Sequence, residues 1–225
     1  GRRNSLQDSI VVRRAWAEVT NRSLGQLRFG RMASHWGLGI LANRGDGIDA
    51  DFSSDVDRIM AVTRLAGFYL AAAWDFAGEG FISDTVTDLA EVPFDATQSD
   101  DISQFVFAAA RRTDEEEQRA RLQRGDWVLN GGMYFVYRSQ LLSSAGVSDP
   151  FASSTTAGSL LARRNAQAFI PDVWLQFLWG DLRVELEAVM IAGSIESIQN
   201  GDAYQQDDYS ILQFGGALEA EYRLL

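Results

Sequence analysis

Few side chains in this sequence could do chemistry, and the first of them is a single histidine. His35 is the only histidine and cysteine is absent, which excludes a histidine cluster for zinc, thiolate metal ligands and disulfides. A Ser-His-Asp mechanism would depend on His35 alone, and no G-x-S-x-G motif accompanies it. We therefore expect a protein that is not an enzyme and has no cofactor, with His35 a structural hydrogen-bonding residue beside Trp36.

A second candidate site is a run of aspartates. Asp46, Asp49 and Asp51 could bind Ca²⁺ through their carboxylate oxygens. Counted from Asp49, however, the loop has Ser54 and Met60 at the positions where an EF-hand loop has its Gly and its last Glu. The sequence favours a solvated acidic loop, with calcium binding as the weaker alternative.

The remaining candidates are polar side chains that recur at every second position. Arg183, Glu185 and Glu187 alternate with Val184 and Leu186, and a period of two places the two sets on opposite faces of a β-strand. If the polar faces enclose water, fixed charges of both signs would set which ions and solutes pass. The residues that we predict to line such a lumen are Arg14, Glu18, Arg28, Arg58, Asp75, Arg138, Gln176, Arg183, Glu185, Glu187, Gln213, Glu219 and Glu221.

The acidic part of this set would favour cations locally, because Glu185 and Glu187 lie on a strand next to the one that carries Glu219 and Glu221. The alternative is that the charged side chains pair across strands and fill the lumen as a rigid network.

Strands must position these side chains, and about nine segments of the chain show the required alternation. Gly180-Asp181 is the signal of a two-residue hairpin turn, which pairs Trp179 with Leu182 and Gln176 with Glu185.

A second tight turn, at Ala66-Gly67, pairs Arg58 with Asp75. After the fifth segment, Thr113 and Glu116 have the spacing of a capping box, which predicts a short solvated helix.

The connections between the segments alternate between short and long, so that turns collect at one end and polar loops at the other. This is the organisation of up-and-down outer-membrane barrels. No run approaches the roughly 18 apolar residues of a membrane-spanning helix. The formal charge of −11 and the absence of lysine argue against nucleic acid as a partner.

Aromatic residues fall at both ends of the predicted apolar faces, as in the interfacial belts of membrane proteins. The predicted lipid-facing girdles comprise Phe68, Trp127, Trp179 and Tyr222 at the short-turn end and Trp74, Phe76 and Tyr137 at the long-loop end.

The N-terminal segment VRRAWAEVTNRSLGQLRFGRMASHWGLGI carries a family resemblance. With Arg14, Trp16 and Glu18 in one strand, and Gly30-Arg31 and Trp36-Gly37 in and after the next, it resembles outer-membrane porins of the alginate-export and porin-like kind, closest to large predicted myxobacterial barrels. The resemblance implies a channel or export pore with a polar lumen and specifies no solute.

We therefore predict an all-β protein, an antiparallel up-and-down transmembrane β-barrel, present as a partial barrel of about nine strands. Residues 1–225 form one barrel domain, and we expect at least one further strand before Gly1 because single-chain bacterial barrels have an even strand number. The predicted function is a pore or export channel for ions or small polar solutes in the outer membrane of a Gram-negative bacterium, with membrane lipid as partner. A closed surface-binding or structural barrel, and a soluble lipocalin-like barrel that binds an apolar ligand, are the alternatives.

Overall fold

Nine antiparallel strands make a single sheet in which every strand pairs with its neighbours in sequence. The computed structural model describes residues 13–46, 52–78, 101–144, 161–196 and 208–224. Its elements are β1 Ala15–Asn21, β2 Gly25–Ala33, β3 Asp55–Leu65, β4 Phe68–Gly78, β5 Ile102–Arg111, α1 Glu115–Gln123, β6 Trp127–Ser144, β7 Leu161–Trp179, β8 Leu182–Ile195 and β9 Tyr209–Tyr222. The predicted all-β class, up-and-down order and strand number are confirmed.

Within these ranges, β1 and β9 each have one neighbour, so the sheet is not closed into a barrel. No helix in the described part of the chain is long and apolar enough to cross a membrane.

Both predicted hairpins have the expected register. Trp179 lies opposite Leu182 and Gln176 opposite Glu185. The turn between them uses Gly180 at φ 54°, a left-handed conformation that glycine adopts without steric cost. In the second hairpin Arg58 lies opposite Asp75. The alternation of side chains therefore fixes which residues share a face, because a slip of one position would exchange the two faces.

Several strands extend beyond the segments in which polar and apolar side chains alternate. β7 begins at Leu161, and β8 continues to Ile195. Cross-strand pairing extends the strands here although the side chains do not alternate cleanly, and a register shift occurs between Gln140 and Leu142.

The short helix α1 is present, but the capping-box prediction is wrong. Its N-cap is Asp114, which makes no side-chain capping hydrogen bond. The amide of Thr113 donates a hydrogen bond to the side chain of Asn130 instead.

One face of the sheet, called the apolar face, is uncharged through its middle. It exposes large apolar side chains such as Phe107, Met133, Leu175, Leu186 and Leu218. The alternation also places charged residues on this face, but only at its margins. Arg31 pairs with Asp57 at the long-loop end, and Arg111 ends β5 at the short-turn end.

Aromatic residues form two rows across neighbouring strands on the apolar face. At the short-turn end, Trp127, Trp179 and Tyr222 align through Leu182. At the long-loop end, the register aligns Trp74, Phe105, Tyr137 and Phe169 on β4 to β7. The rings of Trp74 and Phe105 stack with centroids 6.1 Å apart, and those of Tyr137 and Phe169 are 5.0 Å apart.

The opposite face, called the polar face, contains the buried core. Its buried apolar side chains include Val106, Val136, Ile170 and Val189. Buried charged and amide side chains lie among them: Arg58, Asp75, Gln104, Asn130, Asp172, Glu185 and Glu187. In the described part of the chain, the covered face of the sheet is thus the polar one.

Candidate functional site

Residues 34–46, called the Trp36 segment, leave the end of β2 and fold over the polar face. The segment closes on itself through a hydrogen bond from the Trp36 amide to the Ala42 carbonyl (3.0 Å). It is tied to the start of β3 by hydrogen bonds from Ser34 to Ser54 (2.7 Å) and from Ser54 to Asn43 (2.6 Å). A closed loop of this kind holds its own shape, so it can place one side chain against the sheet reproducibly.

That side chain is Trp36, which is 9% exposed. Its ring stacks on Tyr134 of β6 at 5.3 Å between centroids and meets the edge of Trp174 of β7 at 6.5 Å. Aromatic pairs in these geometries contribute about 0.5–1.5 kcal/mol each beyond the burial of their area. Trp36 is therefore the principal anchor of the segment on the polar face.

Two buried carboxyl groups hold the same segment from below. The indole Nε1–H of Trp36 donates to Oδ1 of Asp172 (3.1 Å). The backbone amides of Leu38 and Gly39 both donate to Oε2 of Glu187, the latter at 3.0 Å. Asp172 and Glu187 are both 0% exposed, so these bonds lie away from water, where a hydrogen bond is stronger than in solvent.

Gly37 makes the close approach possible. Its φ of 52° lies in the left-handed region, and a Cβ built on it would come within 2.6 Å of Oε2 of Glu187. Only a residue without a side chain can bring the backbone this near to the carboxylate.

A second cluster crosses four strands at the long-loop end of the polar face. Arg58 donates two hydrogen bonds to Asp75, at 2.5 and 2.7 Å. Gln104 donates to Asp75 (2.6 Å) and accepts from Arg138 (2.9 Å). Arg58 is 6% exposed and Asp75 is 0% exposed, and a buried ion pair with this many hydrogen bonds is the geometry that offsets the cost of desolvation.

A third cluster centres on Glu185 near the short-turn end. Its carboxylate accepts hydrogen bonds from Trp174 (2.9 Å), Gln176 (2.7 Å) and Arg183 (2.6 Å). Asn130 donates to Gln176 (2.7 Å), so the cluster extends from β6 to β8. The predicted lumen residues Gln176, Arg183 and Glu185 are thus brought together.

The N-terminal members of the predicted lumen set are ion-paired. Arg28 donates to Glu18 (2.7 Å) and lies over the ring of Trp16. Arg14, just before β1, pairs with Asp55 (2.7 Å) and Asp46 (3.0 Å).

The partners of Asp46 bear on the calcium alternative, because its carboxylate already faces two arginines, Arg14 and Arg44. Asp49 and Asp51, the other two aspartates of that prediction, lie outside the described residues. In the parts of the chain that the structure describes, no group of three or more histidine, aspartate or glutamate side chains could hold a metal ion.

A cavity of about 430 Å³ lies between the Trp36 segment and the walls of β1 to β6. Arg28, Arg44 and Arg58 line it together with His35. Partial loss of hydration lowers the pKa of the His35 imidazole below its ordinary value, and the positive charges of Arg44 and Arg112 lower it further. His35 is therefore neutral at neutral pH, and the charges of this cavity come from the arginines and their acidic partners.

The last members of the predicted set, Gln213, Glu219 and Glu221, lie on β9 with exposed side chains. Glu221 is 3.6 Å from Arg183. Across the whole polar face, arginines predominate on β2, β3 and β6, while the acidic residues concentrate on β7 to β9. The two sides of the face thus differ in the sign of their charge.

Comparison with known proteins adds no assignment to this geometry. The chain matches no protein-family model, no curated protein and no solved structure.

Sequence reasoning missed several residues of these clusters. Gln104 alternates with Phe105, so the period of β5 could have placed it on the polar face. Asp172 and Trp174 stand two and four positions before Gln176, so the alternation that placed Gln176 on the polar face could have placed them there as well. No local pattern indicates that Trp36 packs on Trp174, because that contact joins distant parts of the chain.

Proposed function

We propose that this chain forms part of an antiparallel β-barrel in the outer membrane of a Gram-negative bacterium, with its apolar face toward lipid. The observation that carries the proposal is the uncharged apolar face bordered by two aromatic rows. Soluble monomers rarely expose continuous apolar patches beyond a few hundred Å², and aromatic belts at both margins are typical of proteins that cross a bilayer.

The dimensions of the apolar face agree with this proposal. From Trp127 to Tyr137, β6 takes ten steps between the two rows. At about 3.4 Å per step and a tilt of about 40°, that distance is about 26 Å along the membrane normal. The apolar band of known transmembrane barrels is about 25 Å tall.

The polar face supports a passive pore for ions or small polar solutes. Its side chains carry both signs of charge, with arginines on β2, β3 and β6 and most of the acidic residues on β7 to β9. Opposed charges across a water-filled passage produce a transverse field that orients polar solutes. The exposed acidic side chains for such a field are Glu219 and Glu221, of which Glu221 also faces Arg183. Glu185 and Glu187 are buried and engaged by hydrogen bonds.

One observation favours the second candidate, a closed surface-binding or structural barrel. The Trp36 segment covers part of the polar face, with Trp36 itself almost fully buried. If that face lines a lumen, the segment narrows it, and it could close the lumen entirely.

Single-channel recording of the full-length protein in a planar bilayer tests the proposal. A pore gives stable open steps, and in a salt gradient its cation preference falls when Glu219→Gln and Glu221→Gln are combined. Glu115→Gln combined with Glu117→Gln, both on the exposed helix α1, is the matched charge control. Insertion without conductance would support the closed barrel, and failure to insert would overturn the membrane assignment.

A further inference from the structure

We propose that Asp172 and Glu187 share one proton, and that this proton locks the Trp36 segment onto the polar face. Any change in conductance on release of the Trp36 segment rests on the proposed pore. The attachment of the segment to the polar face does not rest on it.

The hydrogen-bond inventory of the two carboxyl groups is the basis of the inference. Each group has one oxygen that accepts from the segment, Oδ1 of Asp172 and Oε2 of Glu187. The other two oxygens, Oδ2 of Asp172 and Oε1 of Glu187, are buried and have no hydrogen-bond partner among the described residues. Buried polar atoms in native structures are almost always satisfied.

The register of β7 and β8 places the two residues that carry these oxygens side by side. Asp172 lies opposite Val189, and Glu187 lies opposite Trp174, so the two carboxyl groups are diagonal neighbours on one face of adjacent strands. Both groups also bind the Trp36 segment within three residues of each other, one at Trp36 and the other at Leu38 and Gly39. A hydrogen bond between two carboxyl groups requires a proton on one of them, and that one proton satisfies both free oxygens.

A metal ion fits this place less well than a proton. Calcium takes six to eight oxygen ligands, and both side chains are fully buried beneath the segment. A shared proton needs no additional ligand and no additional space.

Loss of the proton would place two adjacent negative charges in a buried site. Like charges this close cannot both be ionised without a large cost, and outward movement of the Trp36 segment would admit the water that solvates them. We therefore expect the segment to be held at lower pH and released as the pH rises.

Other titratable or charged groups face the pair from each element that packs around it. They are His35 and Arg44 of the segment, Arg112 after β5, Tyr134 of β6 with Arg58 behind it, and Glu185 of β8. Among them, His35 is the one whose ordinary pKa lies close to neutrality, so it needs its own control.

Isosteric amides provide the decisive variants. In Asp172→Asn, the amide oxygen still accepts from Trp36, while the amide nitrogen donates to Oε1 of Glu187 permanently. Glu187→Gln makes the reciprocal change, with its nitrogen donating to Oδ2 of Asp172. Each variant replaces the proton that can dissociate with a donor that cannot.

The experiment measures the mobility of a spin label on the segment in the full-length protein reconstituted in vesicles. The native sequence has no cysteine, so Arg44→Cys, whose parent side chain is 58% exposed, supplies a unique labelling position. Gln123→Cys on α1 reports any general effect of pH on the label.

We expect the mobile fraction at Arg44→Cys to rise several-fold between about pH 6 and about pH 9, because burial and a neighbouring negative charge move the loss of a carboxyl proton toward this range. In the background of Asp172→Asn or Glu187→Gln the label should stay immobile throughout. Equal mobility at both pH values in the parent, or the same rise in both amide variants, would overturn the proposal. So would loss of the rise in His35→Gln. None of these readings depends on conductance.

Discussion

The indole Nε1–H of Trp36 donates a hydrogen bond of 3.1 Å to Oδ1 of Asp172, a residue 136 positions later in the chain. This bond attaches the connection after β2 to β7, five strands away in the sheet. Because the ring also stacks on Tyr134, one side chain joins the Trp36 segment to β6 and β7 together. Among the residues that the structure describes, the segment therefore covers part of the polar face and is held there by two strands.

Variants of Trp36 should uncover the polar face in two steps. Trp36→Phe keeps an aromatic ring against Tyr134 but loses the hydrogen bond to Asp172, whereas Trp36→Ala loses both contacts. If the polar face lines a pore, single-channel conductance should increase from the parent to Trp36→Phe and again to Trp36→Ala. Equal conductance in all three proteins would show that the segment does not narrow the passage.

Gly37→Ala should displace the Trp36 segment while the side chain of Trp36 itself stays unchanged. The new Cβ would lie 2.6 Å from Glu187, well inside van der Waals contact, and a left-handed φ costs a non-glycine residue about 1–2 kcal/mol. Gly67→Ala is the matched control, because Gly67 also has a positive φ but has no atom within 4 Å of the built Cβ. Hydrogen exchange of residues 34–46 should accelerate in Gly37→Ala and not in Gly67→Ala. Acceleration in both would indicate general destabilisation.

The buried pair of Arg58 and Asp75 should be costly to break. Asp75→Asn leaves the Arg58 charge buried without a counter-charge, and loss of one partner of such a pair costs about 3–5 kcal/mol. The double variant Arg58→Met with Asp75→Leu removes both charges and should cost much less. Denaturant unfolding in lipid vesicles measures both free energies. A double variant as unstable as Asp75→Asn would contradict the assignment of the cost to an unpaired charge.

A charge on the apolar face should lower the free energy of unfolding more, the closer it lies to the middle of the bilayer. Leu186 lies in a row between the two aromatic rows, opposite Leu175 and Leu218, whereas Tyr222 lies in the short-turn row. In a bilayer, Leu186→Arg should reduce the free energy of unfolding by about 2–4 kcal/mol, and Tyr222→Arg by about 0–1 kcal/mol. The same denaturant titration compares them. Equal penalties at the two positions would argue against a bilayer around this face.

Local sequence signals were sufficient for the strands and their faces. The turn at Gly180 sets the register of β7 and β8, and from that register the alternation assigns Glu185 to one face and Leu186 to the other. Such information is contained within a few consecutive residues.

The site itself depends on contacts that no local pattern contains. Nothing around Trp36 shows that its ring will meet Tyr134, since the two are far apart in sequence and the contact forms only after β2 to β6 have assembled. The same holds for Glu187, which looked like a free lumen charge but accepts the amides of Leu38 and Gly39. Tertiary packing thus decided which charges are exposed.

The most direct test of the account compares two consecutive residues of β9, Leu218 and Glu219, both of which are exposed. Single cysteines at these positions carry spin labels in vesicles, and power saturation reports collisions with dissolved oxygen, which concentrates in lipid, or with a water-soluble nickel complex. We predict that the label at Leu218→Cys collides mainly with oxygen and the label at Glu219→Cys mainly with nickel. Predominant collision with nickel at both positions would contradict the assignment of the apolar face to lipid.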